Sequence, residues 1–221
     1  VWIRGHDSDY ADWEEVTGSS HWGAEAARRA YRAIEDNADG ADEYRGQGGP
    51  LHIRSGQEPA HPLVRPFIAA CEGAGLPYNR DFNGAEQEGS GIYQLTIKGG
   101  RRNSAARAFL RPAMRNGRTA VRTKAMVTRV LLEGRRAVGV EYRWKGQTHQ
   151  ARAGEVILSG GAINTPQLLM LSGIGPGAML AGQGITVALD QPQIGRNLND
   201  HQGINYTYRM TVPTMNDILR P

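Results

Sequence analysis

The sequence predicts an α/β fold. Three observations predict it. A short apolar run, Glu155-Val156-Ile157-Leu158-Ser159, ends in Gly160-Gly161 and leads straight into a helix-forming stretch. That is the pattern of a strand buried on both faces of a parallel sheet, with its end opening onto a ligand. Two apolar runs, Val127–Leu132 and Ala137–Tyr142, flank Glu133-Gly134-Arg135, a hairpin signal. Upstream, apolar residues recur at helical spacing in residues 23–35 and again in 63–75.

Taken in order, residues 1–20 are polar, with aromatic residues at Trp2, Tyr10 and Trp13. Ala26, Ala27, Ala30, Tyr31 and Ile34 share one face of the first helix. Residues 36–60 are rich in Gly, Asp and Glu and read as a surface loop, with turns at Gly46-Gln47-Gly48-Gly49-Pro50. Leu63, Val64, Phe67, Ile68, Cys71 and Ala74 mark the second helix, which stops near Gly75. Residues 76–100 are turn-rich, with a short strand at Ile92–Ile97. Ser104 is placed to cap a short helix that stops by Pro112. Gln147–Ala153 adds an edge strand to the hairpin. Beyond the glycine pair, Asn164 or Thr165 can cap a helix and Pro166 suits its first position. Leu168–Leu171 fill that helix and Gly173 ends it. Ile204–Met210 reads as a further strand.

Composition narrows the function. A length of 221 residues fits one domain or two small ones. With 39% hydrophobic and 22% charged residues, the chain is an ordinary globular sequence. The net charge of +4 (26 basic minus 22 acidic) is mild and evenly spread. Arg101, Arg102, Arg107 and Arg111 are too sparse to track phosphates, so no nucleic-acid partner is expected. Cys71, the one cysteine, excludes an intrachain disulfide and a cysteine metal site. The six histidines lack ligand spacing, so no metal is expected. No apolar run approaches the ~20 residues that span a membrane. The opening, Val1-Trp2-Ile3-Arg4-Gly5, has neither a starting Met nor a secretory pattern, and reads as the interior of a longer chain.

Gly161, Ala162, Thr165, Pro166, Leu168–Met170 and Ser172-Gly173-Ile174-Gly175 together resemble the second sequence signature of the glucose–methanol–choline (GMC) oxidoreductases. Other segments resemble the same family in the same order. They are Val1–His6, the series Trp13, Trp22, Tyr31 and Glu35, Asp42–Gly46, and Gly49-Pro50-Leu51. Gly100, Arg102, Ser104, Ala105, Phe109 and Leu110, then Ala125–Arg129 and Ile194–His201, continue the series. Arg32 and Asn199 depart from the usual Phe and Gln. The resemblance covers nearly all of residues 1–205 and is nearest the choline-dehydrogenase-like bacterial members.

The resemblance implies an FAD-binding, Rossmann-like domain interleaved with part of an α+β substrate domain. Residues 1–112 would supply covering loops, helices and substrate-side elements, 113–202 part of the FAD domain, and 203–221 the start of the substrate-domain sheet. It implies FAD as cofactor and a small-molecule alcohol as substrate, oxidised to an aldehyde by hydride transfer to flavin N5. The residues implied nearest FAD are Val127 (through its backbone), Gly160, Gly161, Ala162, Asn164 and Thr165. The family's Gly-x-Gly-x-x-Gly phosphate turn is not found here. Gly173-Ile174-Gly175-Pro176-Gly177-Ala178 follows a helix, is interrupted by Pro176, and reads as a helix stop and turn. No histidine fits the family's catalytic base, which is expected beyond Pro221, and His201 reads as a structural residue. The chain is thus expected to be an internal fragment, inactive alone. The absence of a signal and the single cysteine point to a bacterial cytoplasmic setting, and a homo-oligomer is compatible with the sequence. A non-catalytic α/β binding module on the same scaffold is the alternative. An NAD-dependent Rossmann enzyme is disfavoured, because no dinucleotide fingerprint follows a strand.

Overall fold

The computed structural model describes residues 1–55 and 61–219. They form two compact units, Val1–Ala120 with Tyr208–Pro221, and Val121–Thr207.

The first unit opens with α1 (Asp7–Thr17), an element that no apolar period marks in the sequence. Its start is a reciprocal cap. His6 Nδ1 accepts from the Ser8 N–H, and the Asp9 carboxylate accepts from the His6 N–H at 2.7 Å. Asp7 and Asp9 in the first turn also suit the positive end of the helix dipole. The helix α2 (Ala24–Ile34) follows as expected. It runs directly into β1 (Glu35–Asn37), which pairs in parallel with β2 (Leu51–Ile53). This pair corrects the surface-loop reading of residues 36–60; residues 56–60 lie outside the described residues.

Alternation explains the pair. Leu51 and Ile53 point into the core with Ala108, and Trp2 packs against them. Glu35 and Asn37 point inward too, at 0% and 1% exposure. The Glu35 carboxylate accepts from Trp2 Nε1–H at 2.7 Å and from the Gly46 N–H at 3.0 Å. Asn37 Oδ1 accepts from the Asp39 N–H at 3.1 Å. Polar residues survive burial where such partners exist. Gly46 lies so close over α2 that a Cβ there would sit 1.8 Å from the Arg32 carbonyl oxygen. On the outer face, Asp36 stands opposite His52 and accepts from its Nδ1 at 2.9 Å.

The helix α3 (Val64–Gly73) is found near its expected span. The expected strand at 92–97 is reduced to isolated bridges at Gln94 and Leu95 and to β3 (Ile97–Lys98), which pairs with β4 (Arg101–Arg102). The next helix does not stop at Pro112. Ala106–Leu110 is a π-helical turn that continues into α4 (Arg111–Arg115), with Pro112 in the first turn of α4. The Ser104 backbone carbonyl accepts from the Arg107 and Ala108 N–H groups, and its side chain forms no cap.

The second unit is built on an antiparallel sheet of β5 (Met126–Glu133), β6 (Arg136–Trp144) and β7 (Gln147–Arg152), in that spatial order. The predicted hairpin and edge strand are both present. A register irregularity falls between Val127 and Arg129. The helix α5 (Gly161–Leu171) packs against β5. After it come β8 (Ile174–Gly175), α6 (Gly177–Gly182) and β9 (Leu189–Asp190), with β8 and β9 parallel. Two expected strands do not form. Residues 155–159 form no strand, with Ile157 79% exposed and no described strand paired beside them. Ile204–Met210 is likewise without strand structure. A continuous apolar run becomes a strand only when neighbours satisfy its backbone.

Two outcomes test this packing. Replacing Gly46 by Ala should cost about 3 kcal/mol or more in urea unfolding, since backbone must move. Gly48→Ala, where a Cβ meets nothing within 4 Å at φ +81, should cost only about 1 kcal/mol. The bond from His52 holds the Asp36 carboxyl below its ordinary value of 3.8. A carboxyl lowered by folding contributes stability above its unfolded value and loses it as pH falls through the folded one. Asp36→Asn should therefore flatten the loss of stability that urea midpoints record below about pH 4. An unchanged acid slope would dismiss the pair as a contributor.

Candidate functional site

The helix α5 and the residue before it carry five of the six residues expected near a cofactor. Its start differs from expectation: the helix begins at Gly161, not at Pro166, which lies inside it. Neither Asn164 nor Thr165 caps it as an N-terminal residue. Instead the Gly160 N–H donates to Thr165 Oγ1 at 2.9 Å, folding the glycine back over the first turn. Gly161 enters the helix at φ +85, a conformation that favours glycine, and a Cβ there would meet nothing within 4 Å. Gly160, Gly161, Ala162 and Asn164 are exposed and Thr165 is half-buried. No side-chain cap closes this helix start, so its first amides remain available.

The other end of α5 fixes its place. Ser172 Oγ accepts from the Val130 N–H at 2.8 Å and donates to the Leu168 carbonyl at 2.6 Å. One hydroxyl thus joins the last helical turn to the free edge of β5. Gly173, at φ +84, then turns the chain into β8. Ser172 belongs to the sequence motif, but no local signal announces this bridge.

Val127 lies apart from the helix start, on β5 opposite Tyr142 and at the edge of the register irregularity, 36% exposed. Next to it, Thr128 Oγ1 donates to the Glu141 carbonyl at 3.2 Å and to Glu141 Oε1 at 3.1 Å. The Arg129 guanidinium, 2.8 Å from Glu141, holds that carboxyl below its usual range. A cleft of about 470 Å³ runs beside Val130, Leu132, Leu171, Ser172 and Ile185. None of the six expected residues lines it.

The glycine-rich string at 173–178 is closed to a phosphate. The Gly177 N–H at the start of α6 donates to Asp190 Oδ1 at 2.8 Å, so the chain's own carboxylate occupies that helix end. The structural role expected of His201 is not realised. Its side chain is exposed, and only its N–H is engaged, by Asp200 Oδ1 at 2.9 Å. Among the described residues, no group of three or more His, Cys, Asp or Glu is placed to hold a metal, and no helix is long and apolar enough to cross a membrane.

The mixed α/β fold thus fixes the end of α5 on a sheet edge and leaves its start, beside the glycine pair, without a side-chain cap. Residues 1–203 match the GMC oxidoreductase family, and the chain belongs to it. It is 44% identical over 223 residues to the mitochondrial choline dehydrogenase of Homo sapiens, covering 100% of this chain and 37% of that protein. It is 44% identical over 208 residues to an alcohol dehydrogenase [acceptor] of Pseudomonas putida, covering 92% of this chain and 37% of that protein. The solved structure of pyridoxine 4-oxidase from Mesorbium loti matches with a TM-score of 0.84 and 37% identity, over 90% of this chain and 40% of that one. The chain therefore spans well under half the length of these relatives.

Ser172→Ala tests what positions α5. It leaves the Val130 N–H without its partner, and should lower the stability of the purified chain by about 1–3 kcal/mol in urea unfolding. Ser172→Thr, which keeps the hydroxyl, should recover most of it. Equal losses in both would show that the hydroxyl bridge is not what holds the helix.

Proposed function

We propose that this chain supplies part of the FAD site of an oxidoreductase that oxidises an alcohol to the aldehyde. The observation that carries the reading is the start of α5, where Gly161 and an uncapped first turn face open space inside the family's signature, while Gly160 is folded against Asn164 and Thr165. Gly160, Gly161, Ala162, Asn164 and Thr165 would hold the cofactor there, with Val127 contributing its backbone from β5. The flavin, when bound, accepts the hydride released from the alcohol carbon.

The chain's own residues position and do not transform. Gly160 and Gly161 permit close approach, the Thr165 hydroxyl fixes the Gly160 amide, and Ser172 holds the helix against β5. Among the described residues, no side chain is arranged as the base that alcohol oxidation needs, and this reading draws that base from beyond Pro221. Residues 113–202 form the cofactor part and residues 1–112 with 203–221 the substrate side, in this reading. The substrate is a small neutral or charged alcohol, as the names of the relatives suggest for those proteins.

The test is FAD binding by the 221-residue chain, measured by equilibrium dialysis and by flavin absorbance after desalting. Gly161→Val adds a branched side chain at a positive φ on the open face, and should weaken FAD binding by about tenfold or more. Gly184→Val, well beyond the helix in sequence, also at a positive φ (+72) and without neighbours at its Cβ, should leave binding unchanged. Undiminished FAD binding by Gly161→Val would remove the helix start from the cofactor site.

A further inference from the structure

Charge in the first unit is sorted onto two helical surfaces. The helix α1 buries none of its residues, although it carries Trp13 and Val16, 53% and 86% exposed, with Trp22 beside them at 53%. Its span holds five acidic residues, Asp7, Asp9, Asp12, Glu14 and Glu15, and no Lys or Arg. Asp7 is paired with Arg28 and Asp9 caps His6. Asp12 and Glu15, one turn apart, form no ion pair among the described residues.

The reverse holds between residues 101 and 118. Six arginines fall there (Arg101, Arg102, Arg107, Arg111, Arg115 and Arg118) with no Asp or Glu. Arg107, Arg111 and Arg115 recur every fourth residue along the continuous helical stretch of Ala106–Leu110 and α4, so they line one stripe. Phe109, Leu110 and Met114 emerge beside them, 39%, 37% and 46% exposed. None of the six arginines has a carboxylate partner among the described residues. The two surfaces have matching reach, 11 residues in α1 and 5 residues in each half of the basic stretch, or about 15 Å each at the α-helical rise.

We propose that these surfaces are two halves of one self-contact, in which α1 of one copy lies against the Ala106–Arg115 helix of a second copy and receives the reciprocal contact from it. A two-fold pair uses both halves twice, which one chain carrying both signs allows. Each half joins exposed aromatic or Met side chains to a single sign of charge, and Trp, Phe, Met and Arg are the residues enriched in protein interfaces. A lipid surface of either sign would repel one of the two helices, whereas a second copy satisfies both. This contact does not depend on the cofactor.

Sedimentation velocity of the 221-residue chain measures it. The dimer is expected to form at low salt and to weaken by about tenfold or more near 0.5 M salt, where the Debye length is only a few ångströms. The chain with Arg111→Glu and Arg115→Glu, and separately the chain with Asp12→Arg and Glu15→Arg, should each lose about tenfold or more in self-affinity. Mixing the two altered chains should restore dimers of mixed composition, because one of the two contacts then joins an unaltered acidic helix to an unaltered basic one and the other joins the two reversed helices. A misfolded variant would not be rescued by mixing, so circular dichroism of each chain accompanies the experiment. A chain that stays monomeric throughout, a dimer indifferent to both charge reversals, or a well-folded mixture without mixed dimers would each overturn the proposal.

Discussion

The first unit depends on a carboxylate that has left the solvent. Glu35 sits where α2 gives way to β1, at 0% exposure, and an unpartnered carboxylate in that position would cost several kcal/mol. It is held by an indole N–H from residue 2 and by an amide from residue 46. Those two bonds pin the N-terminal segment and the 46–50 loop to the same point. The apolar core around it is small, essentially Leu51, Ile53 and Ala108 with Trp2 against them. Buried polar partners therefore carry much of the specificity. Asn83 accepts from the Arg4 N–H at 2.7 Å and donates to Gln94 Oε1 at 2.9 Å, which ties a third segment to the same assembly. Gly46 must present its amide to Glu35 while its Cα nearly touches α2, so the carboxylate and the missing side chain are one constraint.

The second unit meets a different problem, the open edge of a sheet. β5 is an outer strand, and an unpaired strand edge leaves amides without partners. The helix α5 covers that edge, and Ser172 converts the coverage into a bond at Val130. The bond lies at the helix end, and the residues proposed to hold the cofactor lie about three turns earlier. A rigid rod transmits the constraint: fixing the last turn on β5 fixes where Gly160 and Gly161 are presented. The same logic separates the two helix starts in this unit. Asp190 fills the start of α6, whereas the start of α5 is left to whatever approaches it.

What the sequence discloses follows from how local each signal is. The helices α2 and α3 and the hairpin of β5 and β6 are legible because their apolar spacing or turn glycine acts within a few residues. Glu35-Asp36-Asn37 is not legible as a strand. Its inward residues are polar, the partners of Glu35 come from residues 2 and 46, and the paired strand comes from residues 51–53. The helix α1 escapes notice for the opposite reason: it buries nothing, so no apolar period marks it, and its cap begins with His6, an unusual capping residue. The run at 155–158 misleads, since apolar content signals a strand only where neighbours exist to pair with it. At the site, the glycine pair and the helix are visible in the sequence. The Ser172 bridge is not, because it joins residues 42 apart in sequence.

Net charge shows the same limit of averaging. A value of +4 over 221 residues suggests an even spread, and the fold shows separation. Five acids occupy one 11-residue helix, and six arginines occupy the span from 101 to 118, each without the opposite sign within its span. Cancellation in the sum hides two fields of opposite sign, and fields act at distances of about one Debye length, roughly 8 Å at physiological salt. At that range a partner senses one helix and not the whole chain. The exposed Trp13, Val16 and Met114 sharpen the point, because apolar side chains set among like charges are poorly served by water. A surface that gathers charge of one sign and keeps apolar groups in its midst is best satisfied by a complementary surface, and within this sequence each of the two helices supplies what the other lacks.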